Sequence, residues 1–292
     1  MVPLMKGTAT AHGAASIVNG IACGKGAAFG IALKTTATVE LTGEPGRFEV
    51  TIEDDPGEET ALCEHCVRAV LSRHGLEGEH GAQISTRSQI PMSRGLKSSS
   101  AAANAVVLAT CKALGRTVDD LEAIELGIQA SFSAGVTITG AFDDACATFF
   151  GGVVVADNFR KKILARYLMK EGYEVVVHVP LRKIRKRDVD TARLKAIRLP
   201  AELAARLTLE GDYLGGMLVN GLAYSAAMGF PTEVTVRALE AGAATAGVSG
   251  TGPATVALVP PDRVGDVMAA LQSCGGDDSW MIRTKVSSEK AR

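Results

Sequence analysis

Aromatic residues are scarce in this sequence. Phe, Trp and Tyr make up 4% of the 292 residues, and there is one Trp. Ala, Val, Ile and Leu must therefore fill the core. Neither sign of charge is in excess: 31 Lys and Arg stand against 32 Asp and Glu, for a formal net charge of −1. No basic surplus exists to hold a nucleic-acid backbone. No apolar run approaches the ~20 residues that cross a bilayer. Residues 1–7 lack the basic segment and long apolar stretch of a signal peptide. The expected setting is cytoplasmic, with no nucleic-acid and no membrane partner. Cysteines number six, and Cys63-Glu64-His65-Cys66 is the sole CxxC. A zinc site needs a second ligand pair at suitable spacing, and none is visible, so these thiols are read as reduced fillers. The spacing GxxxxGK[ST] is also missing, which excludes the familiar NTPase loop. A GxGxxG after a first strand is not matched either; Gly24-Lys25-Gly26 is a lone cluster.

What is present describes a folded chain with ample core: 47% hydrophobic, 22% charged, and 32 Gly, many of them in short clusters. Alternation and Thr/Val content predict strands over 31–41, 47–53, 82–90, 153–156, 173–179, 254–259 and 279–286. The second is read as the return strand of a hairpin through Glu44-Pro45-Gly46. Helical spacing and caps predict helices over 58–74, 101–114, 118–131, 143–149, 200–209, 211–228, 232–246 and 262–274. Helices and strands mix without regular β-α alternation, which favours an α+β fold. A break near 157–172 divides the chain into two lobes, residues 1–160 and 161–292.

Pro91-Met92-Ser93-Arg94-Gly95-Leu96-Lys97-Ser98-Ser99-Ser100-Ala101 is the most informative segment. It follows a predicted strand and runs into a helix, where unpaired N–H groups and the positive end of the helix dipole suit phosphate. Gly95 lets backbone approach closely. The serines can cap the helix, bind phosphate oxygens or ligate Mg²⁺. Arg94 and Lys97 add positive charge. The plain alternative is an N-cap before an Ala-rich helix, but capping explains only one serine. The expected nucleotide-binding set is Arg94, Gly95, Leu96, Lys97, Ser98, Ser99, Ser100 and Ala101, with Ser99 as metal ligand. Farther on, Ser249-Gly250-Thr251-Gly252-Pro253-Ala254 precedes a strand.

These segments resemble, in order, the second and third motifs of the GHMP kinases. Ala11-His12-Gly13-Ala14-Ala15-Ser16-Ile17-Val18-Asn19, with the Gly-rich 24–30 stretch, occupies the place of the first motif. The resemblance covers nearly the whole chain. It implies an N-terminal lobe like domain 2 of ribosomal protein S5 and a ferredoxin-like C-terminal lobe. ATP with Mg²⁺ would lie between them, and Ser249, Gly250, Thr251 and Gly252 would face the phosphates. Partners would be ATP and a small hydroxy acid, with a homodimer left open.

Within the family the chain most resembles the archaeal-type shikimate kinases, on the Lys97-containing second motif, on 13–19, and on the segment 137–147 with its acidic pair Asp143-Asp144. The implied reaction phosphorylates the 3-hydroxyl of shikimate. An alcohol is a poor nucleophile until a positioned carboxylate can take its proton. The spacing from Asp144 to Gly151 matches that of the catalytic Asp in mevalonate and galactose kinases, so Asp144 is the expected base and Asp143 the reserve. The alternative is that the pair favours a helix dipole. His12, Gly13, Ala14, Ser16 and Asn19 are the expected acceptor-binding residues. Two departures stand out. Relatives carry a Lys in the first motif that pairs with the base, where this chain has Ala14. Ser133 stands where mevalonate kinase has a metal-binding Glu. The run Arg182-Lys183-Ile184-Arg185-Lys186-Arg187 is a candidate source of a cation for the acceptor carboxylate, although a solvated basic face is its usual explanation. Homoserine, mevalonate and pantoate kinases, a diphosphomevalonate-type decarboxylase and a non-catalytic nucleotide-binding module are the rival assignments.

Overall fold

Two long strands, β1 (Lys6–Val18) and β2 (Lys25–Thr42), pair antiparallel and form the spine of the first sheet. In this computed structural model, residues 5–169, 172–185 and 189–292 are described. β1 runs along one edge of β2. The opposite edge is shared: Thr35–Thr42 pairs with β4 (Gly81–Ser88), and Lys25–Phe29 pairs with β5 (Val153–Asp157). β3 (Phe48–Ile52) and β6 (Lys162–Tyr167) close the two ends, giving the order β3-β4-β2-β5-β6.

α1 (Ala61–Arg73), α2 (Ser98–Ala113), α3 (Asp120–Ser133) and α4 (Phe142–Phe150) cover this sheet. The low aromatic content shows in how closely α2 lies on β1. A Cβ at Gly7 would fall 2.1 Å from the Ala109 carbonyl oxygen, so only Gly admits the helix there. Ala, Val and Ile from α2 and both long strands form the core between them.

The second sheet is antiparallel throughout, in the order β10 (Ser279–Lys285), β7 (Glu174–Pro180), β9 (Thr255–Val259), β8 (Thr245–Val248). α8 (Glu233–Glu240) and α9 (Val264–Gly275) bury Val234, Ala238, Val264, Val267 and Leu271 against it. α5 (Thr191–Ala196), α6 (Arg198–Leu209) and α7 (Tyr213–Met228) complete the chain's helices among the described residues. Residues 286–292 return to the first sheet, where Thr10 and Arg292 exchange backbone hydrogen bonds and Ala291 N–H donates to Phe149. The expected α+β arrangement with two sheets is found.

Several expectations are corrected. β3 is not the return strand of a hairpin with β2. It pairs parallel to β4, which is inserted between them. Parallel strands need a crossover, and α1, whose apolar face must cover the sheet, supplies it. The Gly-rich 24–30 stretch is mainly strand, because β1 and β5 pair with it on both edges. α2 starts at Ser98, not at 101. The helix read over 232–246 ends at Glu240, and 245–248 is a fully buried strand. β6 and α5 were not foreseen.

Candidate active site

The start of α2 is unusual. Its N-cap is Lys97, in left-handed backbone with φ +64°, and no side chain caps the helix. Ser98, Ser99 and Ser100 therefore occupy the first turn rather than the cap, and the N–H groups of that turn are left for a ligand. The Gly95 backbone has φ +88°, and a Cβ there would stand 2.0 Å from the Ser249 carbonyl oxygen. This contact clamps the 91–97 loop to the 249–252 loop. Ser249 Oγ completes the clamp by donating to Gly95 O at 2.8 Å while accepting from Ser16 N–H at 2.9 Å.

Ser16 joins the three expected motifs. Its hydroxyl oxygen accepts from Lys97 Nζ at 2.7 Å and from Gly250 N–H at 2.9 Å. Asn19 donates to Gly250 O at 2.8 Å, and its own N–H is held by Asn220 Oδ1. Lys97 Nζ also lies 3.0 Å from Asp144 Oδ1. Both side chains are nearly buried, so water screens this pair weakly.

Asp143 and Asp144 sit in the first turn of α4. The N-cap there is Ala141, with φ +45° and no side-chain cap bond. Neither acid serves as the cap, but both stand in the first turn, where the helix-dipole alternative also places them. Asp143 is enclosed. Asn158 Oδ1 accepts its N–H at 2.9 Å, and the Asn158 amide hydrogen-bonds its carboxylate. A Cβ at Gly26 would strike Asp143 Oδ2 at 1.9 Å, so β2 needs Gly at that point to admit the carboxylate. Burial, and next the charge of Asp144, push the Asp143 carboxyl well above its ordinary range, against the opposing pull of Lys97.

All of this opens on one cleft of about 220 Å³. Ser16, Asn19, Gly95, Lys97, Ser98, Ser99, Asp143, Asp144, Gly250 and Thr251 line it, as expected from sequence. The part walled by β3, α1 and β4 adds Ile52, Leu62, Cys63, Thr86 and Ser88, faced by Met92 and Ile184. Burial pushes the Cys63 thiol up to about 11, so it is an inert liner. Beside Asp144 the wall is the 135–141 loop.

Other expected residues lie elsewhere. Arg94 turns away from the cleft: its guanidinium donates to the carbonyls of Met92, Pro180 and Leu181 and lies over the Trp280 ring. It ties the loop to the end of β7. Leu96 is fully buried core, and neither Ser100 nor Ala101 lines the cleft. Gly252 packs against Phe230. Gly13 and Ala14 are buried in β1. His12 is buried beside Glu289, 3.5 Å away, on the returning C-terminal segment. In the basic run, Lys183 pairs with Asp55 at 2.5 Å and Glu58 at 3.3 Å, and Arg185 pairs with Glu58 and Glu59. Arg185 lines the cleft and Arg182 does not. Lys186 and Arg187 fall outside the described residues. Asn158 was missed. It lies in the polar stretch read as a lobe boundary, and a lone Asn after Asp157 carries no sequence signal.

Comparisons with known proteins bear on the family and the fold. Residues 61–152 match the family model described as GHMP kinases N terminal domain. A shikimate kinase of Methanosarcina mazei is 45% identical over 98% of this chain and 96% of its own length. A shikimate kinase of Methanothrix thermoacetophila is 46% identical over 99% of this chain and 96% of its own. Among solved structures, a homoserine kinase from Cytophaga hutchinsonii superposes with a TM-score of 0.76 at 18% identity, over 100% of this chain and 98% of its own. At that identity the likeness concerns the fold alone.

Proposed function

The chain belongs to the GHMP kinase family, and on that basis we propose that it is a shikimate kinase, transferring the γ-phosphoryl group of ATP to the 3-hydroxyl of shikimate. Full-length identity of 45% to a kinase of that name is the observation that carries the acceptor. The cleft supplies matching chemistry.

In this reading the first sheet with its helices forms one lobe and the second sheet with its helices the other, and ATP lies in the cleft. The boundary expected at 160/161 moves beyond β6, which pairs with β5 in the first sheet, and residues 286–292 return to that sheet. Its phosphates meet the open N–H groups of the first turn of α2 and the loop at Gly250 and Thr251. The base packs against the apolar surface of Ile52, Leu62, Met92 and Ile184. The acceptor hydroxyl meets Asp144. The bond from the γ-phosphorus to the β,γ-bridging oxygen breaks, and a bond to the acceptor oxygen forms. The hydroxyl proton passes to Asp144, and ADP leaves. Lys97 holds the Asp144 carboxylate in place and puts a positive charge beside the transferred group. Asp143, braced by Asn158, positions the start of α4.

Mg²⁺ fits the donors present. Serine hydroxyls and carboxylate oxygens line the same cleft, an all-oxygen set that leaves room for phosphate oxygens and water. Ser99 would hold the ion. When bound it neutralises charge on the triphosphate. The reaction is assigned to the cytoplasm.

Purified protein with Mg-ATP and shikimate is expected to release ADP in step with a singly phosphorylated shikimate, followed by mass spectrometry. ADP release that ignores shikimate would overturn the assignment.

A further inference from the structure

Among the described residues, no uncommitted cation lines the cleft to meet the acceptor carboxylate. Shikimate carries its carboxylate on C1, in a 1,3 relation to the reacting hydroxyl. With the hydroxyl at Asp144, the carboxylate stays within one ring of it, and the 135–141 loop that leads into α4 is one wall of the cleft. Among the described residues, Lys97 and Arg185 are the cations lining the cleft. Lys97 is committed to Asp144 and Ser16. Arg185 is committed to Glu58 and Glu59, on the α1 side. The neutral amides are also in use: Asn19 donates to Gly250 O, and Asn158 is bound to Asp143.

The 135–141 loop is different. Thr137 Oγ1 accepts the Gly140 N–H at 3.1 Å, and Thr139 Oγ1 accepts the Ala141 N–H at 3.3 Å. A hydroxyl that accepts still has one hydrogen to donate, and within the described residues neither finds an acceptor. The N–H groups of Thr137, Ile138 and Thr139 likewise have no protein partner among the described residues. All three residues line the cleft immediately before the acidic pair. Gly140 at φ +84° and Ala141 at φ +45° hold the loop in a left-handed turn, which fixes the donors relative to Asp144.

We propose that the hydroxyls of Thr137 and Thr139 bind the acceptor's carboxylate, and so select a hydroxy acid over a neutral alcohol. This inference rests on the assignment of shikimate as acceptor. Both hydroxyls satisfy backbone N–H groups of their own loop and turn their hydrogens to the substrate. A carboxylate accepts such bonds strongly, and a site built for one discriminates against an ester, whose neutral carbonyl accepts them more weakly. Donors without net charge also leave the Lys97–Asp144 pair undisturbed when the anion enters.

The test compares kcat/KM for shikimate and for its methyl ester. The wild-type protein is expected to prefer shikimate. In Thr137→Val and Thr139→Val that preference should fall roughly ten-fold for each hydroxyl removed, since a hydrogen bond to a charged group has about that worth. KM for ATP should hold. Thr137→Ser and Thr139→Ser keep the hydroxyl and should keep the preference, which separates recognition from loop bracing. Valine variants that turn over shikimate with the wild-type preference would overturn the inference alone. A wild-type protein that ignores shikimate would overturn the acceptor assignment, and this inference with it.

Discussion

Lys97 Nζ lies 3.0 Å from Asp144 Oδ1. A lysine read from sequence as a phosphate ligand is thus the partner of the proposed base. Ala14 N–H donates to Leu96 O, so Lys97 emerges one residue from the position where resembling kinases carry the lysine that this chain lacks. The second motif supplies from one side what the first motif omits on the other.

The pair should behave as one unit. Asp144→Asn is expected to lower kcat by about 10²–10⁴ while leaving ATP affinity nearly intact. Lys97→Met should also fall mainly in kcat. The double variant should be little worse than the poorer single one, because residues acting together are non-additive. Steady-state kinetics of the four proteins provides the cycle. A Lys97→Met enzyme with normal kcat and a greatly raised KM for ATP would return the lysine to the phosphates.

Asp143 makes a prediction about stability and pH. Its carboxyl is raised in the folded protein by burial and by Asp144. The folded state therefore binds this proton more tightly than the unfolded chain does. The associated stability is complete below the ordinary carboxylate range and is lost as pH rises toward about 7. Asp143→Asn cannot ionise and escapes that loss. Its stability relative to wild type should rise by on the order of 4 kcal/mol between pH 4 and pH 8 in urea titrations. An offset independent of pH would contradict a buried, proton-hungry Asp143.

Gly95 joins the 91–97 loop to the 249–252 loop. An alanine there meets both a left-handed φ of +88° and the Ser249 carbonyl at 2.0 Å. Gly95→Ala should part the loops and weaken binding of a non-hydrolysable ATP analogue by roughly ten-fold or more, at a stability cost of about 1–2 kcal/mol. Calorimetric titration showing unchanged affinity would mean that the clamp does not shape the nucleotide site.

Arg94 tests the opposite case. Its guanidinium serves three carbonyls rather than the cleft. Arg94→Ala should lower stability by about 2 kcal/mol, as charged hydrogen bonds to buried carbonyls are lost, with KM for ATP little changed. A large rise in KM with unaltered stability would restore it to the nucleotide site.

Much of this was legible in sequence because motifs are local. Strand, Gly95, serines and helix follow one another within 82–101, and their order alone predicts a phosphate site. The acidic pair before Gly151 was equally readable. What could not be read was direction. Arg94 and Lys97 are near neighbours with similar chemistry, yet one points to Pro180 and the other to Asp144. Left-handed backbone at Lys97 and the strand end at Pro180 decide this, and neither is visible in the loop's own residues. The hairpin expected for β3 failed for a related reason. Pairing depends on where α1 carries the chain, and adjacency in sequence favoured the wrong edge. His12 looked like a site residue from its place in the first motif, but the C-terminal segment that covers it comes from the far end of the chain.

The acceptor is the central claim, and one competition experiment tests it directly. Shikimate, homoserine, mevalonate and pantoate are supplied together at equal concentration with limiting Mg-ATP, and the phosphorylated products are identified by mass. The account predicts phosphorylated shikimate alone. Phosphorylated homoserine, mevalonate or pantoate in its place would contradict it, as would ATP binding with no phosphorylated product at all.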